Sequence, residues 1–510
     1  MASPRAPRGM HDTLPEDADL WRFIRDTAER VARLYDYRQI DTPIVEDASV
    51  FLHTAGDESD IVQKEVYLFE DRGGDRLALR PEGTAAACRA YIEHGMSSRP
   101  QPVRLFYFGP FFRYDRPQAG RYRQLHQFGV EAIGTDSPAA DAELIDLQLT
   151  LYRELGFPPD ELTLRINSIG TAETRRRYTE ALTAHFAPHV GTLSRDSQRR
   201  FETNILRILD SKEDLAHPAV QSAPSILDYL TPEDAEHFAA VKSHLDALGI
   251  AYEVDPRIVR GLDYYARTVW EVEPPGAGGQ STIGAGGRYD GLIEILGGPP
   301  TPAVGFATGI ERIALNMRER GLGPTEPEGP EVYLAIASEA AQITATKLAR
   351  DFRTIGISAV VGDSRRGVRA QMRHASQIGA RNALVVGDNE VSTGMGAPRD
   401  LTDGTNLERV PLETANLAVL ILWNVVEKRL GLAAPTSPPE QQLDALVSTG
   451  VLLPAELPLL DKLRQLRNKA AHGDLLSPLE VPQFPMYLLA VNSVISRANA
   501  HIRRMAWNAL

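Results

Sequence analysis

The chain contains a single cysteine, Cys88, among 510 residues. That excludes an intrachain disulfide and a cysteine-based zinc cluster, and it suits a reducing compartment. Long apolar runs are missing as well. The longest strongly apolar stretch, Leu417 to Trp423, is seven residues, against the roughly 20 that a membrane helix needs. Nor is there an excess of positive charge: 55 basic residues face 68 acidic ones, for a net charge of −13. A globally basic nucleic-acid coat is therefore excluded, though a local basic strip is not, and nothing points to DNA. The first eight residues, Met-Ala-Ser-Pro-Arg-Ala-Pro-Arg, lack the apolar region of a secretory signal. What remains is ordinary for a globular protein, with 43% hydrophobic and 24% charged residues, which excludes collagen-like, mucin-like and wholly disordered chains. The length is too great for one hydrophobic core, so two to four domains are expected, in a cytoplasmic protein without a membrane segment.

Leu20, Phe23, Ile24, Ala28, Val31 and Leu34 recur at helical spacing, predicting a helix over Glu16 to Tyr35. Asp41-Thr42-Pro43 leads into extended backbone. Short β-rich runs follow at Val66–Phe69, Arg76–Leu79 and Val103–Phe108, so this half reads as an antiparallel sheet flanked by helices. From about 171 to 248 the sequence turns charged and helical, an insertion before strand chemistry returns near Ala251. Pro324 to Pro330 reads as a linker. A small α/β alternation follows: strands at Val332–Ile336, Ile357–Val361 and Ala383–Val386, helices at Glu339–Phe352 and Gly367–Ile378, and an edge at Leu407–Val410. Beyond Leu412, apolar residues at steps of three and four predict separate helices, including one with Leu459, Leu463, Leu466 and Ala470 and another over Met486–Met505.

Four segments carry chemistry. Between Arg104 and His126 stand five arginines and one acid, with Arg113, Arg116, Gln118, Arg121 and two tyrosines around Pro117-Gln118-Ala119-Gly120. Forked guanidiniums and aromatic faces at a hairpin tip suit a polyanion; a solvated charged hairpin is the plainer reading. Arg80-Pro81-Glu82-Gly83-Thr84 either grips an ammonium or caps the next helix. Arg260-Gly261-Leu262-Asp263-Tyr264-Tyr265 and Ala285-Gly286-Gly287-Arg288-Tyr289 combine close backbone approach with charge and hydroxyls. Val304-Gly305-Phe306 through Glu311-Arg312 is a strand, a glycine break and a helix opening around an arginine.

In this order and spacing, the segments resemble class II aminoacyl-tRNA synthetases, and among them the histidyl-tRNA synthetases. The likeness runs from about Pro7 to Leu412. Motif 1 would be Glu16 to Pro43, motif 2 Phe112 to Gln127, motif 3 Gly305 to Arg312; the Arg260 and Ala285 segments are peculiar to the histidine enzymes. Asp115 stands where that family usually has glutamate, and Leu125 and Trp270 where it has phenylalanine.

The resemblance implies a multidomain α/β protein. Residues 1–325 would be a class II catalytic domain built on an antiparallel sheet with the helical insertion, 331–412 a small α/β anticodon-binding domain, and 413–510 an all-α bundle. It implies ATP-dependent activation of L-histidine and transfer to tRNA(His) by a homodimer, with Mg2+ on the nucleotide and no identifiable metal ligands. Arg113, Arg260 and Arg312 would act at the α-phosphate and adenine, with Arg121 assisting. Glu82, Thr84 and Gln127 would hold the ammonium end of histidine. Glu131 and Tyr265 would contact the imidazole, with Tyr289 enclosing it, and Arg116 and Gln118 would meet the tRNA acceptor end. Arg365, Arg366, Arg369 and Arg373 would be phosphate contacts of the anticodon domain or a solvated face. The rival is a histidine-sensing paralogue that regulates ATP-phosphoribosyltransferase; such paralogues normally lack an anticodon domain and lose catalytic arginines, whereas both are present here.

In the tail, Arg467-Asn468-Lys469-Ala470-Ala471-His472 resembles the Arg-x4-His signature of HEPN-type helical domains, some of which cut RNA. On a straight helix these two residues lie about 140° apart. Two readings stay open: a nuclease with arginine on phosphate and histidine moving a proton, and an interaction or dimerisation bundle.

Overall fold

The computed structural model describes residues 3–53, 65–209, 211, 213–258, 264–274, 282–324, 329–433, 446–447, 451–453, 456–471, 476 and 494. The chain divides into two compact units, Met1–Thr325 and Glu326–Leu510.

The first unit opens with α1 (Pro15–Leu34), which begins on proline and two acids, residues that suit a helix N-terminus, and buries Ile24, Ala28 and Val31. Its centre is an eight-stranded sheet. In chain order the strands are β1 (Arg38–Gln39), β2 (Val103–Phe112), β3 (Gln124–Ile133), β4 (Thr163–Ser168), β5 (Glu253–Val254), β6 (Ala266–Glu273), β7 (Gly284–Arg288) and β8 (Ala303–Gly309). Across the sheet they run β1-β2-β3-β8-β7-β6-β4-β5. The six inner strands are antiparallel, and only the two short edge strands pair parallel, Arg38 with Leu105 and Arg165 with Glu253. The antiparallel sheet expected from the sequence is thus present.

One face of this sheet is a continuous apolar floor. Phe106, Phe128, Val130, Trp270, Val304 and Phe306 pack there against α1, α3 (Pro138–Glu154) and α6 (Ile310–Glu319). Full burial of each large side chain contributes about 1.5–3 kcal/mol. The other face is where the chain spends small residues. Helix α2 (Thr84–Glu93) is alanine-rich, and a three-stranded sheet of Val45–Asp47, Arg76–Leu79 and Tyr67–Glu70 stands apart from the main one. The insertion is helical, with α4 (Ala172–Phe186) and α5 (Pro232–Ala247) as its longest pieces.

The second unit holds a four-stranded sheet of β9 (Val332–Ile336), β10 (Ala359–Val361), β11 (Asn382–Val386) and β12 (Arg399–Asp400), in the order β10-β9-β11-β12. Helices α7 (Gln342–Thr354) and α8 (Val368–Gln377) cross over between its parallel strands. The expected edge at Leu407–Val410 is displaced: β12 takes the edge, and Val410–Pro411 pairs with Met395–Gly396 instead. Two further helices follow, α9 (Thr414–Ala433) and α10 (Leu457–Ala471). Sequence patterning set them apart as a unit starting at 413. In the structure Leu417, Val419, Ile421, Val426, Leu463 and Leu466 belong to the same apolar cluster as Val332, Leu334, Leu348, Phe352 and Leu384. An amphipathic stripe shows that a helix has a buried face, but not which neighbour covers it. The helix foreseen over Met486–Met505 lies outside the described residues.

Candidate active site

Strand register builds the site. Along β3, Leu125, Gln127, Gly129 and Glu131 share the face opposite the apolar floor, by the two-residue alternation of a strand. Their partners are small: Gly305 stands opposite Glu131, Ala307 opposite Gly129 and Gly309 opposite Gln127. On β7, Gly287 and Ala285 continue the row beside Gly305 and Ala307. Ala285, Ala307 and Gly309 of this row line a cleft of about 360 Å³, while Gly129 and Gly305 make room for the side chains of Tyr107 and Glu131.

Behind the cleft's Thr84 and Tyr107 wall lies Glu131, fully buried. Thr84 Oγ1 donates to Glu131 Oε1 at 2.8 Å and Tyr107 OH to the same oxygen at 3.0 Å, while Tyr289 OH donates to Oε2. Burial pushes the Glu131 carboxyl up to about 8 even though these hydroxyls pull it down. A Cβ on Gly305 would stand 1.9 Å from Glu131 Oε2, so only glycine leaves room for that carboxylate. Tyr107 reaches Glu131 in the same way, through a slot between Gly83 and Gly129, where any Cβ would meet its ring at 2.2 Å.

Glu82 caps α2 and lines the cleft at once. Its carboxylate accepts Thr84 N–H at 2.6 Å and Ala85 N–H at 2.8 Å. Burial raises its pKa, opposed by those two amides and by the Arg113 guanidinium. The capping reading of the Arg80–Thr84 segment therefore holds, and the capping carboxylate also faces the cleft. Gln127 also lines the cleft, and its Oε1 is buried without a hydrogen-bond partner. An orphaned acceptor next to a carboxylate is what an ammonium donor would satisfy.

At the cleft's other end the arginines gather. Arg113 is held through Nε by the Pro81 carbonyl at 2.8 Å, and Arg312 by the Thr282 carbonyl at 2.7 Å and the Gly120 carbonyl at 3.2 Å. The Arg312 pKa is lowered, first by burial and then by the Arg121 and Arg113 guanidiniums. Like charges held together in a partly buried cleft favour an anion between them. Arg121 also pairs with Asp115, and its Nη2 lies 3.6 Å from Glu65. The shorter carboxylate at 115 thus still has a motif 2 partner.

Residues 9–313 match the histidyl-tRNA synthetase family and residues 331–419 an anticodon binding domain. The chain belongs to the histidyl-tRNA synthetase family. It is 48% identical over 399 residues to the histidine–tRNA ligase of Dehalococcoides mccartyi strain 195, covering 78% of this chain and 95% of that one. It is 45% identical over 402 residues to the ligase of Desulforamulus reducens, covering 79% and 96%. Among solved structures, the apo histidyl-tRNA synthetase of S. aureus superimposes with a TM-score of 0.68 at 37% identity, covering 80% of this chain and 98% of that one. Residues 420–510 fall outside both family matches.

Of the residues expected in a histidyl-tRNA synthetase site, Glu82, Thr84, Arg113, Arg121, Gln127, Tyr265 and Arg312 line one cleft, whereas Glu131 and Tyr289 are buried behind its Thr84 and Tyr107 wall. Arg116 is exposed on the motif 2 loop, as is Gln118, whose backbone exchanges hydrogen bonds with that of Arg121 across Gly120. Arg260 lies outside the described residues, as does His472. Sequence reasoning missed Tyr107 and Glu271 and gave no individual role to Tyr264 and Glu311 within their segments; all four line the cleft. Tyr107 joins this face only through the register that sets it opposite Gly129. Arg288, in the glycine-rich segment, is not a cleft residue: it is fully buried on Asp141 at 2.8 Å and on the Thr135 and Ser137 carbonyls.

The insertion is tied to this site. Arg175 of α4 donates to the Tyr265 carbonyl at 2.7 Å, and Arg267 pairs with buried Asp234 of α5 at 3.2 Å. Arg267 has a left-handed φ of 51°, a conformation a non-glycine residue keeps only when its surroundings hold it. In the second unit, Arg467 pairs with Glu408 at 3.1 Å, joining α10 to the segment before Val410. The guanidinium that the nuclease reading would set on RNA phosphate makes this partly exposed ion pair instead.

Proposed function

We propose that the chain is a histidine–tRNA ligase, which activates L-histidine with ATP to histidyl-adenylate and transfers the histidyl group to the 3′ end of tRNA(His). The observation that carries this is the convergence of Arg113, Arg121 and Arg312 on one cleft whose far wall backs onto a buried carboxyl group held by three hydroxyls. In the first step the histidine carboxylate attacks the α-phosphorus and pyrophosphate leaves, so negative charge collects around one phosphorus. Preplaced guanidiniums stabilise that arrangement better than a base would. Arg113 would hold the α-phosphate, and Arg312 would hold the adenine and terminal phosphate. Glu82 and Gln127 Oε1 would take the ammonium, while Glu131 and Tyr265 pair the imidazole nitrogens. A pocket that hydrogen-bonds both nitrogens rejects amide and aliphatic side chains by about 10⁴.

Among the described residues no three carboxylate, histidine or cysteine side chains form a metal cage, but Glu271 lines the cleft. That donor set fits a magnesium ion held chiefly by substrate phosphates with one protein carboxylate; it would neutralise the β- and γ-phosphates. Exposed Ile44, Val45, Leu68 and Phe69, all in or beside the small three-stranded sheet, support a dimer through the motif 1 region, which sedimentation would measure. No described helix is long and apolar enough to cross a membrane, in keeping with a cytoplasmic enzyme.

Histidine-dependent exchange of pyrophosphate into ATP tests the reading. Exchange followed by charging of tRNA is expected; folded protein without exchange would favour the histidine-sensing paralogue. For the tail, the Arg467–Glu408 pair favours a packing role over RNA cleavage. Full-length protein that cuts tRNA, and stops on His472→Ala, would reverse that preference.

A further inference from the structure

Residues 9–11 are held against the rest of the chain. Gly9 is buried, and its carbonyl accepts the Arg123 N–H at 2.7 Å. It has a left-handed φ of 81°, and a Cβ there would meet Pro117 Cγ at 2.8 Å and Arg123 Cγ at 3.0 Å. His11 sets its ring edge-on to Tyr122 with centroids 4.9 Å apart. Residues 9–11 are thus fastened to the motif 2 loop at Pro117, Tyr122 and Arg123. The fastening uses backbone, a glycine and one ring, and commits no cation. Arg8 precedes Gly9 and Arg116 precedes Pro117, so the Gly9–Pro117 contact brings the backbones of two exposed arginines close together. No hydrogen bond or ion pair among the described residues engages either guanidinium; Asp115, next to Arg116 in sequence, pairs with Arg121, and Asp12 is the acid nearest Arg8 in sequence.

We propose that Arg8, carried on this N-terminal strap, forms with Arg116 a bipartite cationic surface that binds the phosphate backbone of the tRNA acceptor end. The proposal rests on the ligase reading and extends its tRNA surface beyond the motif 2 loop. In a chain of net charge −13, two unpaired arginines on a rigid surface attract a polyanion without costing the protein an internal contact. The strap supplies orientation as well. A left-handed glycine packed under Pro117 fixes where Arg8 departs from the surface, so that residue need not be ordered anew on binding.

The test compares Arg8→Ala and Arg8→Glu with the wild-type protein in three assays: histidine-dependent pyrophosphate exchange, steady-state charging of tRNA(His), and retention of the same tRNA on filters across a salt series. Arg8→Ala should raise the KM for tRNA about tenfold, the loss of one charge-assisted contact. Arg8→Glu should raise it further. The slope of log affinity against log salt should fall by about one in Arg8→Ala, while exchange stays within about twofold of wild type because that step uses no tRNA. Unchanged tRNA affinity and salt slope in Arg8→Glu would overturn the proposal. So would a loss of exchange matching the loss of charging, which would make Arg8 a support for the motif 2 loop. If the wild-type protein shows no exchange, the ligase reading falls; the filter series then still decides whether Arg8 holds RNA phosphate.

Discussion

Glu131 shows how much one residue depends on its neighbours. Three hydroxyls hold it in a setting whose burial raises its pKa to about 8, so the folded state binds a proton that the unfolded chain releases near pH 4.5. Stability from this group is full below that pH and is lost as pH rises through about 8. Melting temperatures of the ligand-free protein should carry a downward component over that window, and Glu131→Gln should remove it. Tyr107→Phe deletes one hydroxyl on a buried carboxyl and should raise the KM for histidine about tenfold with little change in kcat, as pyrophosphate exchange at varied histidine would measure. Glu131 was legible as a site residue only through the family resemblance. Tyr107 was not legible, because a tyrosine within Val103–Phe112 looks like one more apolar strand residue until the register places it opposite Gly129.

At the scale of elements, strand existence and order of chemistry followed from composition and motif spacing, whereas the joints between elements did not. Arg288 and Asp141 are both fully buried and paired at 2.8 Å, fastening the end of β7, just before Tyr289, to the start of α3. Arg288→Met leaves an uncompensated buried carboxylate and should cost about 3–5 kcal/mol, read as a lower urea midpoint. A sequence reader sees a conspicuous arginine beside glycines and has no means of telling a ligand contact from a structural pair. Asp234, with Thr171, Thr174 and Arg267 gathered on it, joins the insertion to the strand just after Tyr265. Asp234→Asn should weaken histidine binding from a position remote in sequence, visible as a raised KM in exchange.

Across the whole molecule, the boundary near 325 and the one near 412 differ in kind. The first separates units that each keep their own apolar clusters. The second falls inside a shared one, since Leu417, Val419 and Leu463 help bury Leu334 and Phe352. A chain ending at 325 should therefore remain soluble and retain pyrophosphate exchange while charging tRNA poorly. A chain ending at 412 should aggregate, because several large apolar side chains of the α/β sheet would lose their cover, at about 25 cal/mol per Å² exposed. Size-exclusion chromatography of the two truncations separates the cases.

The sequence by itself determined the element types, the linker, the order of the chemistry-bearing segments and the family, because hydrophobic period and motif spacing are local quantities. Tertiary structure decided which small residues hollow out the cleft, which arginines meet and which are spent on internal ion pairs. It also decided that the first helix of the tail shares the core of the α/β domain. Those outcomes depend on strand register and on which apolar face covers which, and both are fixed only when residues far apart in the chain are packed together.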